Sequence, residues 1–255
     1  MESTVQRVLD SRIAGAVNFR DIGGYPAGER RVRWGRVYRS GLTHAITAEG
    51  LETLARELGI RTVVDLRTPA ELRAGLLPLE EHGIRHVHAS LLEGEDMAAE
   101  LQVERVMAMF AGTYRWADSY VAMVESSPDA IRHVFESLAE PAALPAVIQC
   151  SGGRDRTGVT IGLLLAVLGV APETIAEDYA LTGELLVPHV QHFADFATAA
   201  GYTVEDMARL VRTSPDAMLS FLARIEERYG SAEGALLAAG VRPESIAALR
   251  EALLD

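Results

Sequence analysis

The stretch Val147-Ile-Gln-Cys-Ser-Gly-Gly-Arg-Asp-Arg-Thr-Gly158, with the apolar run Val159 to Val170 behind it, decides how this chain is read. Its lead-in, Ala146 to Ile148, is a short apolar segment of the kind that forms a buried strand. The run that follows is far too short to cross a bilayer, so it reads as a buried helix. Strand, glycine-rich turn and helix set a row of backbone N–H groups at a helix N-terminus, where an anion is favoured. Cys150 is the only cysteine; Arg156 follows six positions later, and glycines stand at 152, 153 and 158. Helix end and guanidinium both favour the thiolate. The stretch therefore predicts a nucleophile facing a pocket shaped for a phosphoryl group.

Phosphate monoesters demand up to roughly 10²¹-fold acceleration, most of it from stabilising charge on the group in transfer. A C-x5-R loop has the parts. Cys150 is placed to attack phosphorus, and the loop from Ser151 through Gly152, Gly153 and Arg154 to Arg156 offers amides to the equatorial oxygens. Arg156 adds a bidentate fork. Thr157 is expected to donate a hydrogen bond to the thiolate. A carboxylic acid must protonate the leaving oxygen; Asp155 is the nearest candidate, and Asp65 is a second from a neighbouring strand end. A lone buried cysteine acting as a small apolar residue leaves the two flanking arginines unexplained. A nucleotide-binding P-loop needs a lysine that is absent here. A persulfide or redox loop fits less well, because Arg156 and Thr157 suit a tetrahedral oxyanion.

Outward from this centre, Thr47 to Leu58 has helical spacing and stops at Gly59, and Ile60 to Leu66 reads as a buried strand. Thr68-Pro-Ala-Glu71 is a capping box with proline at the first helical position. Asp65 and Arg67 thus stand at the end of a strand where open parallel sheets bind ligands; for Asp65 a turn or ion-pair role remains the alternative. Residues 12–40 are rich in arginine and glycine, and Val32 to Tyr38 suggests a strand with arginines on one face. Either this is a solvated edge, or some of the group Arg20, Asp21, Arg39 and Arg67 border an anion pocket. Arg85 to Ser90 reads as a strand carrying His86 and His88 on one face, with no cysteine or carboxylate at ligand spacing, so no metal is expected. Residues 96–126 and 128–140 read as helices, with Trp116 and Tyr120 as core rather than cofactor contacts. Helical patterns then continue to residue 255. Pro172, Pro188, Ser214-Pro215 and Pro243 mark starts or breaks, Gly230 and Gly240 mark stops, and His189 and His192 sit on the surface.

The 255 residues carry a 49% apolar fraction and a net charge of −12. All 24 basic residues are arginine, which excludes Schiff-base chemistry on lysine. Residues 171–255 hold 6 arginines against 14 acidic residues, a balance that disfavours nucleic acid and stable association with anionic membranes. One cysteine forms no intrachain disulfide, and the N-terminus lacks a signal-peptide pattern, so a cytoplasmic location is expected. No repeat or linker divides the chain, which reads as a single domain over 1–255.

Cys150-Ser-Gly-Gly-Arg-Asp-Arg-Thr-Gly158 resembles the C-x-x-G-K-D-R-T-G signature of the bacterial and fungal tyrosine-phosphatase-like family. Asn18-Phe-Arg-Asp-Ile-Gly-Gly-Tyr25, Tyr38-Arg-Ser-Gly41, Val64-Asp-Leu-Arg67 and Asp178-Tyr-Ala-Leu181 match further blocks in the same order, and the Tyr229-Gly-Ser region is similar too. The resemblance implies an α/β protein-tyrosine-phosphatase-like fold with a small, mostly parallel central sheet flanked by helices. It also implies no cofactor or metal, a cysteinyl-phosphate intermediate, Asp155 as general acid, and a helical lid near residues 182–212. The expected partner is a phosphorylated protein, with phosphoserine, phosphothreonine or phosphoinositide activity alongside. A soluble nucleotide or sugar phosphate is the alternative substrate, and a weakly catalytic phospho-ligand binding module the alternative class. Gln149 stands where the family has histidine, and Arg154 where it has the lysine associated with phosphoinositides.

Overall fold

The computed structural model describes residues 7–41, 45–73, 75–91, 107–193, 198 and 201–255. A five-stranded sheet runs in the order β1 (Val17–Asp21), β4 (Val37–Gly41), β7 (Ala146–Gln149), β5 (Thr62–Asp65) and β6 (Arg85–His88). All neighbours are parallel except β1, which runs antiparallel to β4. This is the mixed, mostly parallel α/β architecture that the family resemblance implies. Two short strands, β2 (Pro26–Ala27) and β3 (Arg30–Arg31), make a separate hairpin.

Side-chain alternation sorts the strands between two cores, as a period of two requires. Tyr38, Val63 and Val147 face one core with Leu51 and Leu54, from α1 (Ala48–Glu52) and the π-type turn Thr53–Glu57 that continues it. Val37, Val64, Val87 and Ile148 face the larger core, built with α3 (Trp116–Ser126), α4 (Pro128–Ala139), α5 (Asp155–Val167), α6 (Pro172–Leu186), α8 (Pro215–Tyr229), α9 (Ala232–Ala238) and α10 (Pro243–Leu253). Beyond its first turn, helix α5 is almost entirely apolar and is buried nearly throughout, as a helix with no polar face must be. Val159, Ile161, Leu163, Leu164 and Leu165 are each at most 1% exposed, and burying such a side chain stabilises by about 1.5–3 kcal/mol. Gly158 and Gly162 let the neighbours close in. A Cβ at Gly158 would lie 2.9 Å from Tyr179 Cδ2, and one at Gly162 3.0 Å from Met218 Sδ. The central helix is thereby clamped, with its N-terminus fixed at the carboxyl edge of the sheet.

Several boundaries move. The strand expected over 32–38 begins only at Val37, because Gly35 takes a positive φ of 69° and its N–H is bound by the Asp21 carboxylate at 2.7 Å. Of the helix expected over 96–126, residues 96–106 lie outside the described residues. The remainder breaks after residue 110, with Gly112 at φ 70°, and resumes at Trp116. Short helix α2 (Pro69–Leu72) carries the expected capping box of Thr68 and Glu71. Proline starts α4, α6, α8 and α10, and Gly230 ends α8 in the left-handed region. Part of the expected lid, 194–197 and 199–200, also lies outside the described residues. Of the remainder, 182–186 are the last residues of α6, Val187–Phe193 form a 3-10 turn and Val204–Leu210 form α7. Val190, Met207 and Val211 pack there with Leu186 and Val17. Among the described residues, no helix is long and apolar enough to cross a membrane.

Candidate active site

Strand β7 delivers Cys150, 2% exposed, directly to a loop that ends where α5 begins at Asp155. Two glycines seat this loop. Gly153 has φ 67°, and a Cβ there would fall 2.5 Å from the Ser40 carbonyl oxygen; a Cβ at Gly41 would fall 2.4 Å from the Gly152 carbonyl carbon. The loop's own carbonyls point back to the sheet. Asn18 Nδ2 donates to Gly152 O at 3.0 Å and to Gly153 O at 3.1 Å, and an Arg39 N–H donates to Gly153 O at 2.8 Å. In a planar trans peptide the N–H opposes the C=O, so the amides of Gly153 and Arg154 turn the other way, at the start of α5. This is the geometry of an anion cradle.

Behind the loop lies a sealed brace. Asp178 of α6 bonds Arg20 Nε at 3.0 Å, Arg39 at 2.5 Å and the Tyr25 hydroxyl at 3.0 Å, and Arg20 reaches the Thr182 hydroxyl at 3.0 Å. Burial pushes the Asp178 carboxyl up, but the two guanidinium groups outweigh it and hold the pKa far below the usual carboxylate range. Arg20 and Arg39 are 0% and 1% exposed. They therefore border no pocket, contrary to expectation; they hold the loop from below. Nor does Asp21 border one: it accepts from the N–H groups of Gly23 and Gly35, both at 2.7 Å, and shapes the turn after β1. Asn18 is the one non-glycine residue among those described with a positive φ, 58°, a conformation that asparagine tolerates better than most residues.

Arg156 projects from the first turn of α5 onto Glu71. Its NH1 lies 2.5 Å from Oε2 and its NH2 2.7 Å from Oε1, a bidentate pair. Glu71 Oε1 also accepts from the Ser151 hydroxyl, while Oε2 accepts from Thr68 N–H at 2.8 Å. Burial raises the Glu71 carboxyl, yet the Arg156 bonds and charge dominate and bring it to about 2. The same partner pushes Arg156 up, against the effect of burial. Asp65 and Arg67 do not meet the loop as pocket residues. They pair with each other, Nε to Oδ1 at 3.0 Å and NH2 to Oδ2 at 2.7 Å, and both are buried. Burial raises Asp65, but bonds from His86 and Arg67 bring it to about 2. His86 lies 3.4 Å from Asp65 Oδ2, so β5 supplies in space the carboxylate that sequence spacing around His86 and His88 lacks. Among the described residues, no three His, Cys, Asp or Glu side chains gather as a metal site.

Asp155 opens α5 and accepts from the Tyr120 hydroxyl at 2.5 Å, which lies 2.5 Å from the Tyr179 hydroxyl. Burial and the Asp155 charge push Tyr120 well above the normal phenol range, so it stays a donor. Tyr120 is core by its ring, as expected, but its hydroxyl belongs to the site. Arg154 pairs with Asp155 at 3.1 Å, donates to Leu210 O at 2.8 Å, and lies 4.5 Å over the Trp116 ring. Its guanidinium is thus turned to the end of α7 rather than free for phosphate. The expected bond from Thr157 to the thiol is not formed; Thr157 Oγ1 is buried with no hydrogen-bond partner. Gln149 is 2% exposed, and its carbonyl accepts from Leu66 N–H at 2.8 Å.

Sequence reasoning missed Glu71, Tyr120, Tyr179 and the brace role of Asn18 and Asp178. The signal for Glu71 was at hand, since the capping box opens just past a strand end on the ligand side of the sheet. The contacts among Tyr120, Tyr179 and Asp155 span 35 and 59 residues and left no local signature.

A family model described as the tyrosine phosphatase family matches residues 11–255. A protein of Cupriavidus necator named "putative tyrosine-protein phosphatase" is 37% identical over 166 residues, 64% of this chain and 59% of that protein. The chain therefore spans less than two thirds of that relative's length. The triple specificity protein phosphatase PtpB of Mycobacterium tuberculosis is 27% identical over 95% of this chain and 98% of its own. The core catalytic domain of the PP-IP phosphatase SIW14 from S. cerevisiae aligns over 82% of this chain and 92% of that one, at 16% identity and a TM-score of 0.36.

Proposed function

The chain belongs to the tyrosine phosphatase family, and from that premise we propose that it is a cysteine-dependent phosphomonoester hydrolase acting on phosphotyrosine. Phosphoserine, phosphothreonine and phosphoinositides are the further substrates to test. The observation that carries the reading is the placement of Cys150 at the end of β7, with Arg156 and the turned-out amides of Gly153 and Arg154 at the start of α5.

In this reading the Cys150 thiolate attacks phosphorus and the S–P bond forms as the P–O bond to the leaving group breaks. The loop amides and Arg156 stabilise the charge on the three equatorial oxygens. Asp155 gives its proton to the departing oxygen, then takes one from the water that cleaves the S–P bond, releasing inorganic phosphate and the thiolate. Asp65 is the weaker candidate for the acid: it is buried at the end of β5 and paired with Arg67 and His86, whereas Asp155 opens α5 directly behind the cysteine loop.

Turnover of p-nitrophenyl phosphate and of a phenyl phosphate with a poor leaving group tests both assignments. Cys150→Ser is expected to abolish turnover of both esters. Asp155→Asn is expected to slow the poor leaving group by about 10²–10⁴-fold and the good one much less. Activity that survives Cys150→Ser contradicts the cysteine mechanism, and an equal, small effect of Asp155→Asn on both esters moves the acid elsewhere. Arg154 is committed to Asp155, Trp116 and Leu210 O, which favours singly phosphorylated substrates over those needing a second cationic contact. A panel of phosphopeptides, inositol lipids and nucleotides reads this directly.

A further inference from the structure

We infer that Tyr120, backed by Tyr179, is a positioning residue for Asp155, the group that gives its proton to the leaving oxygen, an inference that rests on the phosphatase reading above. The Tyr120 hydroxyl lies 2.5 Å from Asp155 Oδ1 and 2.5 Å from the Tyr179 hydroxyl. A phenol has one proton to donate, and an ionised carboxylate only accepts. The Tyr120 proton therefore goes to Asp155, and the bond between the two phenols takes its proton from Tyr179. Tyr179 to Tyr120 to Asp155 is thus a directed chain, in which each hydrogen bond polarises the next.

Packing keeps the chain in place. Both tyrosines are buried, one on α3 and the other on α6. The Tyr120 ring meets Tyr179 and Phe221 of α8 edge to face, with centroids 6.1 and 6.0 Å apart. Gly158 leaves the Tyr179 ring its place against α5. A hydroxyl that swung away here would stay buried and unpaired, at a cost of about 1–3 kcal/mol. Arg154 Nε meets the same Oδ1 at 3.1 Å. Donors from two elements, α3 and the residue before α5, thus fix how the carboxyl is turned. Two phenylalanines would fill the same core with no polar group to satisfy, so burial alone does not account for the hydroxyls. A donor to a carboxylate also favours its ionised form. The bond that aims Asp155 therefore lowers the pH up to which it holds a proton to give.

Tyr120→Phe is the test. It is compared with wild type, Phe221→Leu, Asp155→Asn and the double variant Tyr120→Phe/Asp155→Asn for Tm, and for kcat and KM across pH on both phenyl esters. Tyr120→Phe should lose about tenfold in kcat on the poor leaving group and much less on p-nitrophenyl phosphate, with KM nearly unchanged. The alkaline limb of its kcat profile should move up by about one pH unit. Arg154 and Arg156 of the same turn and Tyr179 behind it keep their places, so the shift reports one hydroxyl. Phe221→Leu disturbs the ring packing and leaves the hydroxyls, so it should lower Tm without changing the leaving-group dependence. In the Asp155→Asn background, Tyr120→Phe should cost less than about twofold, because nothing is left for it to position. Equal slowing of both esters by Tyr120→Phe, an unmoved alkaline limb, or losses that multiply in the double variant overturn the inference. So does Phe221→Leu reproducing the Tyr120→Phe pattern, since the effect would then belong to the packing. A folded wild type without turnover sinks the phosphatase reading itself, and the inference with it, before the variants are compared.

Discussion

Arg154 shows what a single side chain decides here. Its planar fork meets the Asp155 carboxylate and the Leu210 carbonyl while its face lies over Trp116. A lysine ammonium is a point charge that can serve only part of this set. Arg154→Lys should therefore keep the positive charge yet loosen the tie to α7. The lost bond, of a charged group to a carbonyl, is worth about 1.5–3 kcal/mol. Amide exchange over residues 204–211 should then quicken by about tenfold or more, and unchanged exchange there would show that α7 is held by its apolar contacts alone. Cys150, Asp155 and Arg156 were legible because strand, glycines and helix frame them within a few residues. Glu71 was legible only as a helix cap, since nothing local says that a capping carboxylate also meets an arginine 85 positions away. Arg20 and Arg39 misled for a related reason. Arginines in a charged stretch suggest solvent or a pocket, and the carboxylate that buries them, Asp178, lies far along the chain.

Among the elements, β7 and α5 were the most legible, because continuous burial leaves an apolar run with no polar face. The 32–38 region was the least legible. Alternating arginines imitate a strand, while the turn there depends on Asp21 reaching Gly35. The elements are joined at the brace: β1 supplies Arg20, β4 supplies Arg39, α6 supplies Asp178, and Arg39 also binds the cysteine loop. Removing one partner from a buried ion pair leaves a charge uncompensated, at a cost of about 3–5 kcal/mol. Asp178→Asn should lose stability on that scale in urea unfolding. It should also weaken phosphate binding, because the loop rests on the same arginines. A variant with wild-type stability would mean that the brace is not energetically coupled to the fold.

Among the described residues, four buried arginines are matched by carboxylates: Arg20 and Arg39 by Asp178, Arg67 by Asp65, and Arg156 by the half-buried Glu71. Arg20, Arg39, Arg67 and Arg156 are buried in a chain whose net charge is −12. The carboxylates that hold them respond to acid together. Asp65 and Glu71 are held at about 2 in the folded protein, against ordinary values of 3.8 and 4.5. A depressed folded pKa contributes stability above the unfolded value, and that stability is lost as pH falls from about 4.5 towards 2. For Asp65, which is almost fully buried, the contribution is about 2 kcal/mol. Urea midpoints should thus fall between pH 5 and pH 2, and Asp65→Asn should flatten that fall; an equally steep fall would assign the acid lability to other groups. The solitary thiol at the foot of the cradle has a different consequence, in redox terms. Were Cys150 oxidised to a sulfenic acid, no second cysteine in these residues could trap it as a disulfide. Recovery would depend on a backbone nitrogen or a thiol from outside, and without one the next oxidation step is irreversible.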